Sequence, residues 1–253
     1  MLVWLAVFTA VAAAVRSTWS PCGLSMLSTI TPLAEQGRGH RFRATAAWFV
    51  LGAAVGGATL GAGAAVLAAF VGWVGPTQGA VLVVAAVVAL VAAASDLRLR
   101  GFELPNHPRQ VNELWLGSFR SWVYGSGFGW QIGVGFSTYI MTAAVYLTVA
   151  LAALTGSPVL AFGVCLLFGL LRGLAIYLGA FITSPERLVA FHRRFDALAE
   201  PVRRALVGEQ LAVAAVALVG LWSLGLAVAV AAVAVVATAV VALSGRDVAP
   251  ATG

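Results

Sequence analysis

The chain has 253 residues, of which 61% are hydrophobic and only 9% are charged. This composition excludes a water-soluble globular domain, because too few polar side chains are present to cover its surface. The formal charge is +6, and all 15 basic residues are arginines spread over several segments. That distribution does not form a nucleic-acid-binding face, so we expect no nucleic-acid partner. The composition predicts one polytopic membrane domain over residues 1–253, with the lipid bilayer as its partner.

The N-terminal apolar run covers residues 2–15 and is followed by Arg16 and the motif Ser20-Pro21-Cys22-Gly23. A cleaved signal peptide is one interpretation, but the run has no basic residue in front of it. We favour a single interrupted span over about residues 10–34, with residues 2–9 extending it outward or lying along the membrane interface.

Five further apolar runs are each long enough to cross about 30 Å of hydrocarbon. They cover residues 44–74, 77–95, 123–154, 158–183 and 209–243. The last run exceeds the length of one crossing, and it could form two short helices that break between Gly220 and Gly225. The sequence therefore predicts an all-α integral membrane protein with six or seven transmembrane helices.

The arginines indicate how these spans are oriented. They concentrate in the connections 35–43, 96–120 and 184–208, which alternate with uncharged connections near Gly75 and Thr155. By the positive-inside rule the basic connections are cytoplasmic. We therefore expect a bacterial inner-membrane protein with its N-terminus outside.

The spans fall into two groups of three, at about residues 10–96 and 120–243. Residues 19–23 align with residues 130–134, and the same offset aligns Thr31 with Thr142. Because each group holds an odd number of spans, the two copies would form inverted repeats. In such repeats the functional site lies at broken helices near the midplane, here at the first helix of each group. The second break is expected within residues 125–135, with Gly129, Trp130 and Gly133 as its site residues.

The first break has a specific chemical character. Ser20 suits an N-cap and Pro21 suits the first helical position. Cys22 then lies in the first turn of a half-helix, followed by Gly23. The N–H groups and the dipole of that helix end favour a thiolate, so Cys22 is the candidate catalytic residue. The alternative interpretation of Cys22 is a small apolar packing residue.

Two arginines fall within predicted spans, where a charge is costly. Arg16 follows the first apolar run, and it could face the break or extend toward the interface. Arg172 lies near the centre of the fifth span and should face the bundle interior. It would bind an anion, a substrate or the thiolate, or else form a structural pair with helix-end carbonyls or with Asp96.

Two segments resemble the CcdA/DsbD family of transmembrane thiol electron carriers. Ser20-Pro21-Cys22-Gly23-Leu24 resembles the family's Ser-Pro-Cys-x-x-Pro segment, and residues 127–135, Gly-Phe-Gly-Trp-Gln-Ile-Gly-Val-Gly, are similar to its Gly-Trp-Thr-Pro-Cys-Ile-Gly-Pro segment.

The resemblance implies inverted three-helix units, one cysteine from each forming a reversible disulfide. It also implies a cytoplasmic thioredoxin-like partner and an extracytoplasmic thiol protein. Gly133 stands where the family has its second cysteine, and Cys165 is the only other cysteine in the chain.

Two functions follow as expectations. One is transmembrane thiol transfer or cytochrome c-type assembly through Cys22, which makes the chain at most a thiol-disulfide oxidoreductase. The other is a small-solute or ion transporter with its site at the broken helices and Arg172. No hydrolase or transferase motif is present. We expect no cofactor and no metal, since His107 has no second ligand at metal-binding spacing.

Overall fold

The computed structural model describes residues 1–105, 111–112, 114–222 and 230, and within these ranges it contains helices and no strand. Two 3₁₀ helices cover Leu99–Gly101 and Ala175–Phe181. The α-helices are α1 Leu2–Ser17, α2 Pro21–Thr29, α3 Pro32–Gly37, α4 Phe42–Val74, α5 Gln78–Asp96, α6 Trp115–Ser118, α7 Ser121–Val134, α8 Ala144–Leu154, α9 Pro158–Leu174 and α10 Pro185–Val219.

Three helical segments in the described part are long and apolar enough to cross a membrane. They are α4, α5 and α9 together with its 3₁₀ extension to Phe181. These helices confirm the predicted spans 44–74, 77–95 and 158–183. Helices α1 and α2 meet at a bend of 63° and would add a fourth crossing as one broken span. Apart from residues 209–222 and 230, the predicted span 209–243 lies outside the described residues.

The surface of the bundle is rich in exposed apolar side chains. Trp4, Val66, Phe70 and Trp73 are each at least 60% exposed. An apolar surface of this kind is unfavourable in water and favourable against lipid. Together with the three apolar helices, it supports a helical membrane protein over the part of the chain that the structure describes.

The predicted span 123–154 is not one helix. Helix α7 ends at Val134, Gly135 has a left-handed φ of 77°, and α8 begins at Ala144. The break therefore lies at the end of the predicted range 125–135, whereas Gly129, Trp130 and Gly133 lie inside α7.

The glycines of α7 have a packing role instead. A Cβ atom at Gly129 would collide with the carbonyl oxygen of Phe49, and one at Gly133 would collide with the carbonyl oxygen of Ala53. The missing side chains let the backbone of α7 lie directly against that of α4.

Helix α4 carries two Gly-x-x-x-Gly pairs, a spacing that permits close helix approach. On α4, Gly52 and Gly56 contact the backbone of α7, whereas Gly57 and Gly61 contact that of α9. Gly169 of α9 lies against the Cα atom of Gly57. Helix α4 is thus the central helix, with one neighbour on each of two glycine faces.

The buried side chains form two clusters. One joins α1, α5, α8, α9 and α10 and consists largely of alanines, with Cys165 among its members. The other surrounds the first helix break and contains Cys22, Phe49, Tyr124 and Phe128. The two cysteines therefore lie in different parts of the core.

Candidate functional site

The first helix break forms as its sequence predicts. The Ser20 hydroxyl accepts a hydrogen bond from the N–H of Gly23 at 3.1 Å, and Pro21 is the first helical residue. Cys22 follows in the first turn and is completely buried. A Cβ atom at Gly23 would collide with the carbonyl oxygen of Thr18, so the tight turn between α1 and α2 requires glycine here.

Arg172 connects this break to the end of α7. Its side chain is only 5% exposed, and Nη1 donates a hydrogen bond to the carbonyl oxygen of Ile132 at 2.6 Å. The last carbonyls of a helix have no partner within it, and Ile132 lies in the last turn of α7. The guanidinium also lies 5.6 Å from the ring centre of Phe168 and within electrostatic range of Cys22. Of the structural pairs considered above, the one with a helix-end carbonyl describes this contact.

A small cavity of about 20 Å³ lies beside Arg172 and the break. Ser17, Phe49 and Ile176 are among the residues that line it. This volume suits about one water molecule. The break, the end of α7 and Arg172 therefore form one tightly packed, buried centre.

The remaining predicted site residues lie away from that centre or support it indirectly. Trp130 is 40% exposed and donates from Nε1 to the Thr59 hydroxyl at 3.2 Å. Gly129 and Gly133 fix the position of α7 against α4, and so hold the Ile132 carbonyl in place for Arg172. Arg16 also lies near the end of α1, but it is buried on the side of that helix close to Asp96 and away from Arg172.

Asp96, the last residue of α5, is the centre of a polar site that the sequence analysis did not predict. Its carboxylate accepts hydrogen bonds from the Thr142 hydroxyl at 2.5 Å, the Ala143 N–H at 2.8 Å and Nε2 of Gln210 at 2.7 Å. The bond to Ala143 places a negative charge at the N-terminal end of α8, which the helix dipole favours. Asp96 thereby joins α5, α8 and α10.

Glu35 forms a second buried carboxylate site, and it is completely inaccessible to solvent. It accepts hydrogen bonds from the Tyr124 hydroxyl at 2.8 and 2.9 Å, from the Thr45 hydroxyl at 2.5 Å and from Nη1 of Arg38 at 2.9 Å. Those donors belong to α4, α7 and the connection after α3. Because Glu35 and Tyr124 lie far apart in the chain, no local sequence signal could have paired them.

Within the described ranges, no group of three or more His, Cys, Asp or Glu side chains could hold a metal ion. His107, for which the sequence offers no second metal ligand, lies outside the described residues.

Comparison with known proteins identifies relatives by their sequences. No protein-family model matches the chain, and no solved structure matches it. The methylamine utilization protein MauF of Paracoccus denitrificans is 32% identical over 200 residues, which cover 76% of this chain and 70% of that protein. MauF of Methylophilus methylotrophus is 30% identical over 211 residues, covering 80% and 70%. MauF of Paracoccus versutus is 32% identical over 171 residues, covering 66% and 61%.

These relatives overturn the resemblance to the CcdA/DsbD thiol carriers. That resemblance is wrong, and so are thiol transfer and cytochrome c-type assembly as functions drawn from it. The transporter alternative gains no support from the relatives. The thiol partners that the resemblance implied lose their basis with it.

The physical reason for the error is that Ser-Pro-Cys here is a helix-start motif. Its serine and proline satisfy capping requirements that any interrupted span shares, whatever the cysteine does. The relationship that extends over three quarters of the chain outweighs two short segments. The chain belongs to the family of the methylamine utilization protein MauF.

Proposed function

We propose that this chain is a membrane protein that takes part in methylamine utilization. The observation that carries the proposal is the 32% identity to MauF of Paracoccus denitrificans, which extends over 76% of the chain. The apolar helices and the lipid-facing surface support a role carried out within a membrane. Since the alignment covers 61 to 70% of the three relatives described above, the role of the whole relative is a proposal for this chain.

Growth of a deletion strain tests this proposal. We expect a strain of the source organism that lacks this gene to grow normally on a carbon and nitrogen supply without methylamine. It should fail, or grow several-fold more slowly, when methylamine is the sole nitrogen or carbon source. The gene supplied in trans should restore growth. Equal growth of the parent and the deletion strain on methylamine would contradict the proposal.

We propose that this role depends on the buried centre formed by Cys22, Arg172 and the Ile132 carbonyl. Its support is that three separate segments meet there and that a charge is retained in an apolar core. Ser20, Pro21 and Gly23 would act by holding the bend that places Cys22. In this proposal Cys22 acts as a packing residue at the start of α2.

We also propose that the single membrane domain contains two inverted three-helix repeats, with six spans. Helix α1 packs against α9 as α7 packs against α4, and α4 and α9 pack against each other. When one repeat is superposed on the other, α1 takes the place of α7 and α9 takes the place of α4, so the α1–α9 contact should correspond to the α7–α4 contact. Both first helices are interrupted, after Ser17 and after Val134.

The helix directions give independent support for this arrangement. Gly52 contacts Ser126 and Gly56 contacts Trp130, so α4 and α7 run parallel. Gly61 contacts Phe162 whereas Gly173 contacts Ala53, so α9 runs antiparallel to α4. Six spans in inverted repeats require both relations. The arginine distribution supports a bacterial inner membrane with the N-terminus outside.

A further inference from the structure

A polar cavity of about 470 Å³ lies where α1, α5 and α10 approach one another. Its lining includes Arg98 and Glu103, whose side chains are at least half exposed. Deeper inside it is lined by Arg16, Asp96 and Tyr139. The cavity is distinct from the small one beside Arg172.

Most charged groups around this cavity already have partners. Nε of Arg98 lies 2.6 Å from a carboxylate oxygen of Glu103. Arg203 donates from Nε and Nη2 to Glu200 at 2.8 and 2.9 Å. The Asp96 carboxylate receives its three hydrogen bonds from uncharged donors.

Arg16 differs from these groups. Its side chain is only 6% exposed, and its Nη1 has no hydrogen-bond partner among the described residues. Asp96 and Glu200 act on it electrostatically, but in the described part of the chain no ion pair within 4 Å joins Arg16 to either carboxylate. A buried guanidinium without a hydrogen-bonded anion is unfavourable. The lining therefore calls for an additional negative group.

The position of the cavity indicates the source of that group. Asp96 ends an apolar, membrane-length helix, so the cavity lies at the end of the apolar zone. On the same side, the charged part of α10 that precedes its apolar end carries the exposed arginines Arg193, Arg194 and Arg204. Basic pockets between helices at this depth are suited to anionic lipid headgroups.

We propose that Arg16 binds the phosphate group of an anionic phospholipid whose headgroup enters this cavity. The planar guanidinium can donate two parallel hydrogen bonds to phosphate oxygens, which an ammonium cannot do. The lipid would supply the negative group that the cavity lining lacks. This inference does not depend on the role in methylamine utilization.

Lipid binding to the purified full chain in detergent tests the proposal. Native mass spectrometry would measure affinity for phosphatidylglycerol and, for comparison, zwitterionic phosphatidylcholine. We expect wild type to bind phosphatidylglycerol about tenfold more tightly than phosphatidylcholine, because the choline ammonium cancels the phosphate charge that would otherwise offset the Arg16 guanidinium. Arg16→Gln should remove this preference. The control Arg43→Gln, which is exposed and lies outside the cavity lining, should keep it.

Competition with inorganic phosphate distinguishes a lipid headgroup from free phosphate as the ligand of Arg16. Displacement of phosphatidylglycerol by millimolar phosphate from wild type supports Arg16 as a phosphate site that a lipid occupies. Phosphate binding that depends on Arg16, without a preference for phosphatidylglycerol, would overturn the lipid as the ligand.

Unfolding midpoints show whether Arg16→Gln still folds and whether lipid stabilises it. Because Arg16→Gln removes an unmatched buried charge, its unfolding midpoint in lipid-free detergent should be no lower than that of wild type. Phosphatidylglycerol should raise the midpoint of wild type more than that of Arg16→Gln. If Arg16→Gln does not fold, the preference of wild type between the two lipids and its reduction in Arg16→Lys decide the question. Equal affinity of wild type for both lipids, or unchanged binding by a folded Arg16→Gln, would overturn the proposal.

Discussion

Arg172 shows how a buried charge is accommodated in this core. Its cost is offset by the hydrogen bond to the Ile132 carbonyl and by the face of the Phe168 ring. The sequence predicted an arginine that faces the bundle interior, because a charge in lipid is unfavourable. It could not choose among possible partners, since Ile132 is brought close only by the packing of α7 and α9.

We expect Arg172→Ala to impair growth on methylamine at least as severely as Cys22→Ser. The alanine variant leaves the Ile132 carbonyl without its donor and opens space in the core, which together cost about 2–5 kcal/mol. Cys22→Ser changes one buried atom and keeps the helix start. Growth rates of complemented strains, with membrane levels of each variant measured by immunoblot, check this order. A fully active Arg172→Ala strain would show that the buried centre has no part in the function.

The local sequence predicted some of the other residue contacts and could not predict others. The N-cap at Ser20 was predictable, because all atoms of the cap belong to four consecutive residues. The Glu35 and Asp96 sites were not, since Tyr124, Thr142 and Gln210 donate to them from segments distant in sequence. Glu209, whose carboxylate accepts from the Thr9 hydroxyl at 2.6 Å, escaped notice for the same reason.

At the scale of helices, the glycines of α4 determine how the bundle is assembled. The spacing of Gly52, Gly56, Gly57 and Gly61 is typical of close helix contacts. It did not show that α7 would be the partner on one face. That relation made Gly129 and Gly133 contact residues within a helix, although glycine-rich sequence also suits a break.

We expect Gly56→Ala to destabilise the protein by about 1–3 kcal/mol, because its Cβ atom would collide with the carbonyl oxygen of Trp130. Gly63, on the same helix, is the matched control, since a Cβ atom there meets nothing within 4 Å. Gly63→Ala should be neutral or stabilising by up to about 1 kcal/mol through helix propensity. Thermal unfolding in detergent measures both. Equal midpoints for the two variants would contradict the close contact of α4 and α7.

For the whole molecule, composition was sufficient to identify a helical membrane protein. The family was not readable from motifs, because the capping pattern at residues 20–23 serves the fold and does not identify a chemistry. The relationship to MauF is distributed over some 200 aligned residues at 32% identity.

The orientation can be tested by single-cysteine labelling after both native cysteines are replaced by alanine. Cysteines at Arg41, Arg109 and Arg194 should react only from the cytoplasmic side, because the arginine-rich connections are retained there. A cysteine at Ser157, in an uncharged connection, should react from the outside. External labelling at any two of the three arginine positions would reverse the proposed topology.

Functional exchange with a relative tests the central claim, that this MauF-family membrane protein acts in methylamine utilization. The measurement is the growth rate on methylamine of a Paracoccus denitrificans strain whose own MauF gene has been deleted. We expect expression of this chain to restore growth to at least half the parental rate. An empty vector should not restore it, and growth without methylamine should be the same in all strains. Correctly inserted, abundant protein that restores no growth, in a strain that its own MauF does rescue, would contradict the account.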